Sequence, residues 1–262
     1  MNKNDNKTFK KKCLSEILKQ SKNKNFLKLS NDWLSKSVEY NYSYHFEWLG
    51  RPVIQYPQDL ILIQQIIWKV KPDLIIETGI ARGGSLLFSA SILELLSLYN
   101  INKKSKVLGI DIDIRKHNLK EIKKSPLYKR INLIQGSSVE KIVKDKVKKI
   151  TQNFKNILVF LDSNHTHSHV LEELNFYSTL VTKNSYCVVF DTVISKLNDK
   201  FHAGKAWNSN ENPYTAVEEF LSYIKKKRVY DINNKLIKFS IDNFYEKQAM
   251  ITVAPKGFLL RK

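Results

Sequence analysis

One repeated pattern in the middle of the chain constrains the fold more than anything else. Short runs of aliphatic and β-branched residues occur at Leu74–Glu77, Val107–Ile112, Ile131–Gln135, Ile157–Leu161 and Tyr186–Phe190. The segments between them read as helices at Ser85–Leu98, Asn118–Lys124, Val139–Ile150 and His169 to about Val181. Strands that alternate with helices pair in parallel, because a parallel return needs a long crossover and a helix supplies it. A strand covered on both faces shows no polar side, so it appears as an unbroken Val/Ile/Leu run. These runs have that character. The expected architecture is α/β and Rossmann-like: a mainly parallel, twisted sheet with helices on both faces.

The flanks extend this frame. Pro57–Val70 carries Leu60, Ile63, Ile66, Ile67 and Val70 at helical spacing, and Pro72 stops it. Asn212–Pro213 opens another helix that runs to about Lys227, since Asn caps a helix and Pro fits its first position. Ile237–Asp242 and Ala249–Ala254 read as a terminal pair that gives the sheet an antiparallel C-terminal strand, closed by Pro255–Gly257. The first 56 residues differ in kind. They read as a basic leader, helical from Leu14 to Lys19, followed by the aromatic stretch Trp33–Trp48, whose rings need a surface to cover. We expect an N-terminal leader and cap over 1–56 and one α/β domain over 57–262, with no internal repeat and no interdomain linker.

Composition excludes several classes. Hydrophobic residues make up 42% of the 262, enough for a sizeable core. The longest apolar runs, such as Ile157–Leu161 and Cys187–Phe190, fall far short of the ~18–20 residues that span a bilayer. The Lys/Asn-rich start has no apolar stretch behind it and is no secretory signal, so we expect a cytoplasmic protein. Cys13 and Cys187 make no disulfide framework. The formal charge of +19 raises nucleic acid or an anionic substrate as a partner. The lysines are scattered, however, with runs at Lys10–Lys12, Lys146–Lys149 and Lys225–Arg228 and no Arg/aromatic cluster that would stack bases. Abundant Lys, Asn and Ile together fit a compositional bias. Nucleic acid therefore ranks behind a small-molecule or glycan substrate, which the charge allows to be anionic.

The chemistry lies at the strand ends. In a doubly wound sheet the ligand sits beyond the carboxyl ends of the strands. The first run leads into Glu77-Thr-Gly-Ile-Ala-Arg-Gly-Gly-Ser85 and then a helix. Glycines let the backbone turn sharply beside a ligand, and the helix N-terminus offers free N–H groups. The spacing is not the Gly-x-Gly-x-x-Gly of a dinucleotide loop. An acidic residue before the first glycine suits an ammonium group better than a pyrophosphate, and S-adenosylmethionine carries an ammonium and a sulfonium. Gly79, Ala81, Gly83 and Ser85 would lie along it. Asp111, with Ile112 beside it, stands where a carboxylate meets ribose hydroxyls. Ser137 and Ser138 in Gly136-Ser-Ser138 are small enough for an adenine ring to lie close. Singly these are a turn glycine, a solvated Glu or a helix cap; three successive strand ends that suit one ligand are stronger.

The next two strand ends carry Asp162 and Asp191. Two such carboxylates can share a hard cation such as Mg²⁺, which lowers the pKa of a substrate hydroxyl. His165 is close enough in sequence to act as general base. His165, His167 and His169 could form a zinc triad in an extended segment, but in a helix only His165 and His169 share a face. Because the segment lies at a helix entrance, we expect His167 and His169 to pack and cap.

The residues together resemble the cephalosporin hydroxylase/rhamnosyl O-methyltransferase family. The resemblance runs from about Trp48 to the C-terminus. It rests on Trp48-Leu-Gly-Arg-Pro52 with Gln55 and Pro57-Gln-Asp59, Pro72–Leu74, Glu77–Ser85, Gly109–Arg115, Gly136–Ser138, Leu161–Val170, Glu173-Leu174, Asp191-Thr192, Asn212-Pro213 with Ala216-Val217, and Gly257–Arg261. It implies a class I methyltransferase fold, S-adenosylmethionine, often Mg²⁺, and a homo-oligomer. Carried over residue by residue, Glu77, Gly79, Ser85, Asp111 and Ser138 hold the cofactor, and Asp162 and Asp191 hold the metal. The chain departs from the pattern at Phe190, where the family has a second acidic residue; this weakens Mg²⁺ binding or brings in His165. The expectation is O-methylation of a sugar or sugar-linked group, for a surface polysaccharide or a glycosylated metabolite, with Asp162 and His165 catalytic. Arg51 and Arg82 are expected to hold an anionic group, and Tyr44 and Trp48 to face the sugar, unless these aromatics only pack the cap. The rival expectations are a non-catalytic cofactor-binding partner and a nucleic-acid methyltransferase.

Overall fold

The structure is a computed structural model that describes residues 3–262. It opens with two helices, α1 (Lys3–Gln20) and α2 (Lys24–Glu39), where the sequence pattern predicts only one short helix. The second starts on a side-chain cap, Asn23 accepting the Phe26 N–H. The Gln20 amide at the end of α1 donates to the carbonyls of Lys247 and Gln248 near the C-terminus, at 2.8 and 3.2 Å. A small hairpin, β1 (Phe46–Trp48) and β2 (Arg51–Val53), follows, and then α3 (Pro57–Val70) at the expected bounds.

The main sheet comprises β3 (Leu74–Thr78), β4 (Lys106–Asp111), β5 (Ile131–Gln135), β6 (Ile157–Leu161), β7 (Tyr186–Val189), β8 (Phe239–Ile241) and β9 (Phe258–Arg261). Their spatial order is β5-β4-β3-β6-β7-β9-β8, parallel from β5 to β7 with β9 antiparallel between β7 and β8. The helices in the crossovers are α4 (Gly84–Leu98), α5 (Lys116–Lys124), α6 (Lys141–Thr151) and α7 (His167–Tyr177); α8 (Pro213–Lys226) and α9 (Phe244–Ala249) come after β7. The Asn212 cap of α8 is present as a capping box with Thr215.

Side chains of one strand alternate between two cores. Ile75 of β3 joins α3, α4 and Ile122 of α5 on one face; Leu74 and Ile76 join α6, α7 and α8 on the other. All five residues of β3 and of β6 are buried, which accounts for their unbroken apolar sequence. Leu34 of α2, Val53 and Tyr56 belong to the first core, so the N-terminal segment packs onto the sheet. Its aromatics also pack on one another: Tyr42 lies 5.0 Å from Trp33, 4.9 Å from Phe46 and 5.4 Å from Tyr56, centroid to centroid.

One expectation fails at the C-terminus. Ala249–Ala254 is not a strand; the chain leaves α9 through Met250 in the left-handed region, and the second terminal strand is β9. The reason is a buried carboxylate. Asp59 on α3 takes the hydroxyl of Thr252 and, at 3.0 Å, the N–H of Val253, so this backbone is paired by a side chain instead of a ladder. Burial pushes Asp59 up to about 7. Asp59→Ala leaves both donors unpaired in the interior and is expected to cost about 2–4 kcal/mol, read as a lower urea midpoint.

Candidate active site

The chain steps from β3 outward to β4 and β5, then returns to β6 and β7 on the other side. The crevice beyond β3 and β6 is therefore the switch point where ligands bind in such sheets. Hydrogen bonds past the strand ends hold the loops in line. The Gly79 N–H donates to Ile110 O (2.8 Å), Asp162 N–H to Thr78 O (3.0 Å), Phe190 N–H to Leu161 O (3.0 Å) and Gly136 N–H to Asp111 O (2.9 Å). Gly79 adopts φ +80°, and a Cβ there would lie 2.0 Å from the carbonyl oxygen of Asp162, so no other residue fits.

The glycine loop is shaped from both sides. Asp111 Oδ2 accepts the N–H groups of Ile80 (2.9 Å) and Ala81 (3.2 Å), while its Oδ1 accepts that of Asp113 (2.9 Å). From outside, the Arg51 guanidinium donates to the carbonyl of Arg82 (2.6 Å) and to Asn118 Oδ1 (3.0 Å), and Asn118 donates to Ala81 O (3.2 Å). Arg51 is thus a brace for the loop and not a free cation for substrate. Trp48 is also occupied elsewhere: its indole N–H donates to Ser91 Oγ (3.1 Å) and its ring packs on Phe88 at 4.8 Å. Of the residues expected on the substrate side, Tyr44 and Arg82 do line the cleft.

Two hollows meet over this turn. One, about 270 Å³, is lined by the glycine loop, Ser85, Asp162, His165 and Asp191. The other, about 200 Å³, is lined by Asp111, Ile112, Ser137, Ser138 and His169. Gly79 and Ser163 border both, making them two ends of one groove. Below the first, Glu77 is buried and takes the Ser85 hydroxyl. Burial pushes Glu77 up to about 7; Asp111 adds to this and Ser85 opposes it. In the second, Ile112 stands 72% exposed at the rim, an aliphatic surface for a flat ring. Ser138 Oγ lies 3.0 Å from His169 Nε2, which is also 3.2 Å from Ser163 Oγ, and Ser163 donates to the buried Glu173 (2.7 Å). The Tyr177 hydroxyl fixes Ser138 O at 2.9 Å.

At the open end of the first hollow, Asp162, His165 and Asp191 come together, with one ligand atom from each inside 4.8 Å of the others. His165 Nε2 is 3.0 Å from Asp191 Oδ2 and 3.9 Å from Asp162 Oδ1. Gln55 donates to Asp162 Oδ2 (2.9 Å), while its own amide oxygen is buried without a hydrogen-bond partner. Asp191 occupies the left-handed region, φ +54°. Burial, and then the charges of Asp191 and Glu77, raise the Asp162 carboxyl well above the ordinary range. Two carboxylates and an imidazole are a donor set that a divalent cation can bridge. Phe190 adds nothing to it; its ring is buried against Phe160 at 6.0 Å. The three histidines diverge, which removes a zinc triad. His165 faces the carboxylates, His169 faces Ser138, and His167 clamps α7 to α8 through Thr215 Oγ1 (2.8 Å) and Glu219 (3.0 Å).

A larger concavity, about 1420 Å³, lies at the amino ends of β6 and β7 and is lined by lysines such as Lys148, Lys155, Lys183 and Lys235. Among the described residues the metal-type cluster is at the other end of the sheet, and chemistry identifies the site better than size.

A sequence model of the rhamnosyl O-methyltransferase/CmcI family matches residues 40–262. The chain belongs to that family. It is 26% identical to a rhamnosyl O-methyltransferase of Mycobacterium leprae (strain TN) over 218 residues, 82% of each chain. It is 25% identical to one from Mycobacterium bovis (strain BCG / Pasteur 1173P2) over 206 residues, 78% of this chain and 73% of that one. Among solved structures, an apo-structure of CmcI matches with a TM-score of 0.52 at 18% identity, covering 83% of this chain and 76% of that chain. A CmcI structure with Mg and SAM matches with the same TM-score and identity, covering 84% and 77%. These structures share the class I methyltransferase fold with this member of the rhamnosyl O-methyltransferase/CmcI family.

Sequence reasoning missed the support roles of Asn118 and Glu173, and the place of Ser163 between the two hollows. Gly79→Ala is expected to cost about 2–4 kcal/mol in urea unfolding, since a backbone must move. Gly50, at φ +75° with open space around its Cβ position, is the control, and Gly50→Ala should cost only about 1 kcal/mol.

Proposed function

We propose that this protein transfers the methyl group of S-adenosylmethionine to a hydroxyl oxygen of a sugar or sugar-linked acceptor. The observation that carries the reading is the groove across the switch point, with a carboxylate–imidazole group at its open end. The curated relatives named as rhamnosyl O-methyltransferases support the acceptor class, and the CmcI structure with Mg and SAM supports the cofactor and the metal. The buried Glu77 with Ser85 fits the ammonium end of the cofactor, Asp111 the ribose, and Ile112, Ser137 and Ser138 the adenine.

Asp162 and Asp191 would hold Mg²⁺, with His165 beside them kept as the base and not as a ligand. When bound, a divalent cation there polarises the acceptor hydroxyl and lowers its pKa. The chain's own residues do the rest. The groove fixes the sulfonium methyl and the acceptor oxygen in line, so that the O–C bond forms as the S–C bond breaks and the sulfonium becomes a neutral thioether. His165 takes the hydroxyl proton. Asp191 at 3.0 Å and Asp162 at 3.9 Å then stabilise the imidazolium. Arg82, exposed at the mouth, suits an anionic acceptor. We place the reaction in the cytoplasm, where the cofactor is made. We also expect a homo-oligomer, because α1 and α2 expose apolar side chains such as Leu14, Leu18 and Leu29.

Calorimetric titration with S-adenosylhomocysteine, with and without Mg²⁺, tests the reading; absence of binding in both would remove it. Asp162→Asn should lower turnover at least about 100-fold and leave S-adenosylhomocysteine affinity within about threefold. Glu77 gives a pH signature. It must be ionised to hold an ammonium, and burial raises it to about 7. Affinity should therefore be flat above about pH 7 and fall by up to about tenfold per unit below it. Glu77→Gln should bind weakly with no such slope, and a flat wild-type profile down to about pH 5.5 would take Glu77 out of the site.

A further inference from the structure

The loop before α8 sets a single aromatic ring beside His165. Residues 203–211 are exposed except Trp207, which is half-buried. Its ring lies 6.3 Å from that of His165, tilted by 45°, and 5.8 Å from that of His202, edge-on at 81°. Among the described residues, Trp207 belongs to neither core, nor to the hydrophobic side chains packed against them. Its ring neighbours are two imidazoles and the ammonium of Lys205, 6.0 Å from the ring centroid. An indole whose purpose was packing would be expected against aliphatic side chains; this one is set among polar rings, next to the group that takes the acceptor's proton.

The loop is built to hold it there. On one side, His202 is buried, and a turn closes with the Lys205 N–H on His202 O at 3.0 Å. On the other, Asn208 Oδ1 accepts from Asn210 (2.8 Å) and Glu211 (3.0 Å), and the Asn212 amide donates to the carbonyls of Asn208 (2.9 Å) and Ser209 (2.8 Å). Asn212 is also the cap of α8, so the loop is fastened to a helix whose face is clamped to α7 by His167. Two self-contained turns thus flank Trp207, and the side chain between them stands beside His165.

We infer that Trp207 is the acceptor platform: its indole stacks on the apolar C–H face of a pyranose ring whose hydroxyl meets His165. A sugar ring has a polar edge and an apolar face, and a large aromatic surface binds that face with little loss of side-chain freedom. This rests on the sugar-acceptor reading above and deepens it by naming a residue that selects the ring.

The test uses the full-length protein with S-adenosylhomocysteine bound and a panel of methyl glycosides led by methyl α-L-rhamnopyranoside. With 5-fluorotryptophan in place of the four tryptophans, the ¹⁹F signal that disappears in Trp207→Phe is that of Trp207, and it should shift on titration with a glycoside that the enzyme methylates. In steady-state assays, Trp207→Ala should raise KM for that glycoside on the order of tenfold. Its kcat should stay within about threefold and its affinity for S-adenosylhomocysteine unchanged, while Trp207→Tyr should restore most of the loss. If a glycoside is methylated while the Trp207 signal stays still and Trp207→Ala keeps the wild-type KM, the platform is overturned and the sugar reading stands. If the wild type methylates none of the panel and no fluorine signal responds, the sugar-acceptor reading falls, and the platform falls with it.

Discussion

The contact on which the site depends is between two pieces of backbone. β3 turns at Gly79 directly against the chain leaving β6, so close that a Cβ would sit 2.0 Å from the Asp162 carbonyl oxygen. That approach lets Asp162 N–H pair with Thr78 O and aligns the ends of neighbouring strands. It brings together carboxylates that lie far apart in sequence, Glu77, Asp111 and Asp162, with Asp191 one strand further along. Their mutual repulsion, added to burial, holds Glu77 and Asp162 above the ordinary range. The result is a cluster of four carboxyl groups, ready to ionise against a cation, in a chain of formal charge +19. A cationic cofactor is drawn to the carboxylates, against the sign of the surrounding field.

The strand-and-helix frame was legible because it rests on local pattern. Strands covered on both faces must be continuously apolar, and β3, β5 and β6 lie within a residue of their expected bounds. That the residues expected on the cofactor side would line one groove was legible for a related reason: strand ends in a parallel sheet converge whatever the loops do. What was illegible depended on contacts across the chain. α1 has almost no apolar stripe, and its end is secured by a tertiary hydrogen bond from Gln20. The segment before β9 reads as strand by composition. The Val253 N–H and the Thr252 hydroxyl, however, are claimed by Asp59, almost two hundred residues earlier and hidden in the interior.

The misread residues share one cause. Arg51 and Trp48 carry groups that look like ligand contacts from sequence. In the fold they meet protein partners first: Arg51 the carbonyl of Arg82, Trp48 the hydroxyl of Ser91. A loop rich in glycine exposes carbonyls that side chains nearby must satisfy. The same demand explains Asn118. Residues flanking a binding loop are therefore as often its scaffold as its contact surface. His167, committed to α8 while its neighbours in the same motif face the groove, shows how finely this divides within three alternate positions.

Asp191 stands in the left-handed region, where a side chain carries an energetic penalty that glycine escapes. Replacing it with glycine would relax the backbone by about 1 kcal/mol and remove the carboxylate nearest to His165. Under the role proposed for Asp191, backbone relaxation and turnover therefore pull in opposite directions at this one position. A residue kept in a strained conformation that glycine would relieve is held there by what its side chain does, not by what its backbone needs.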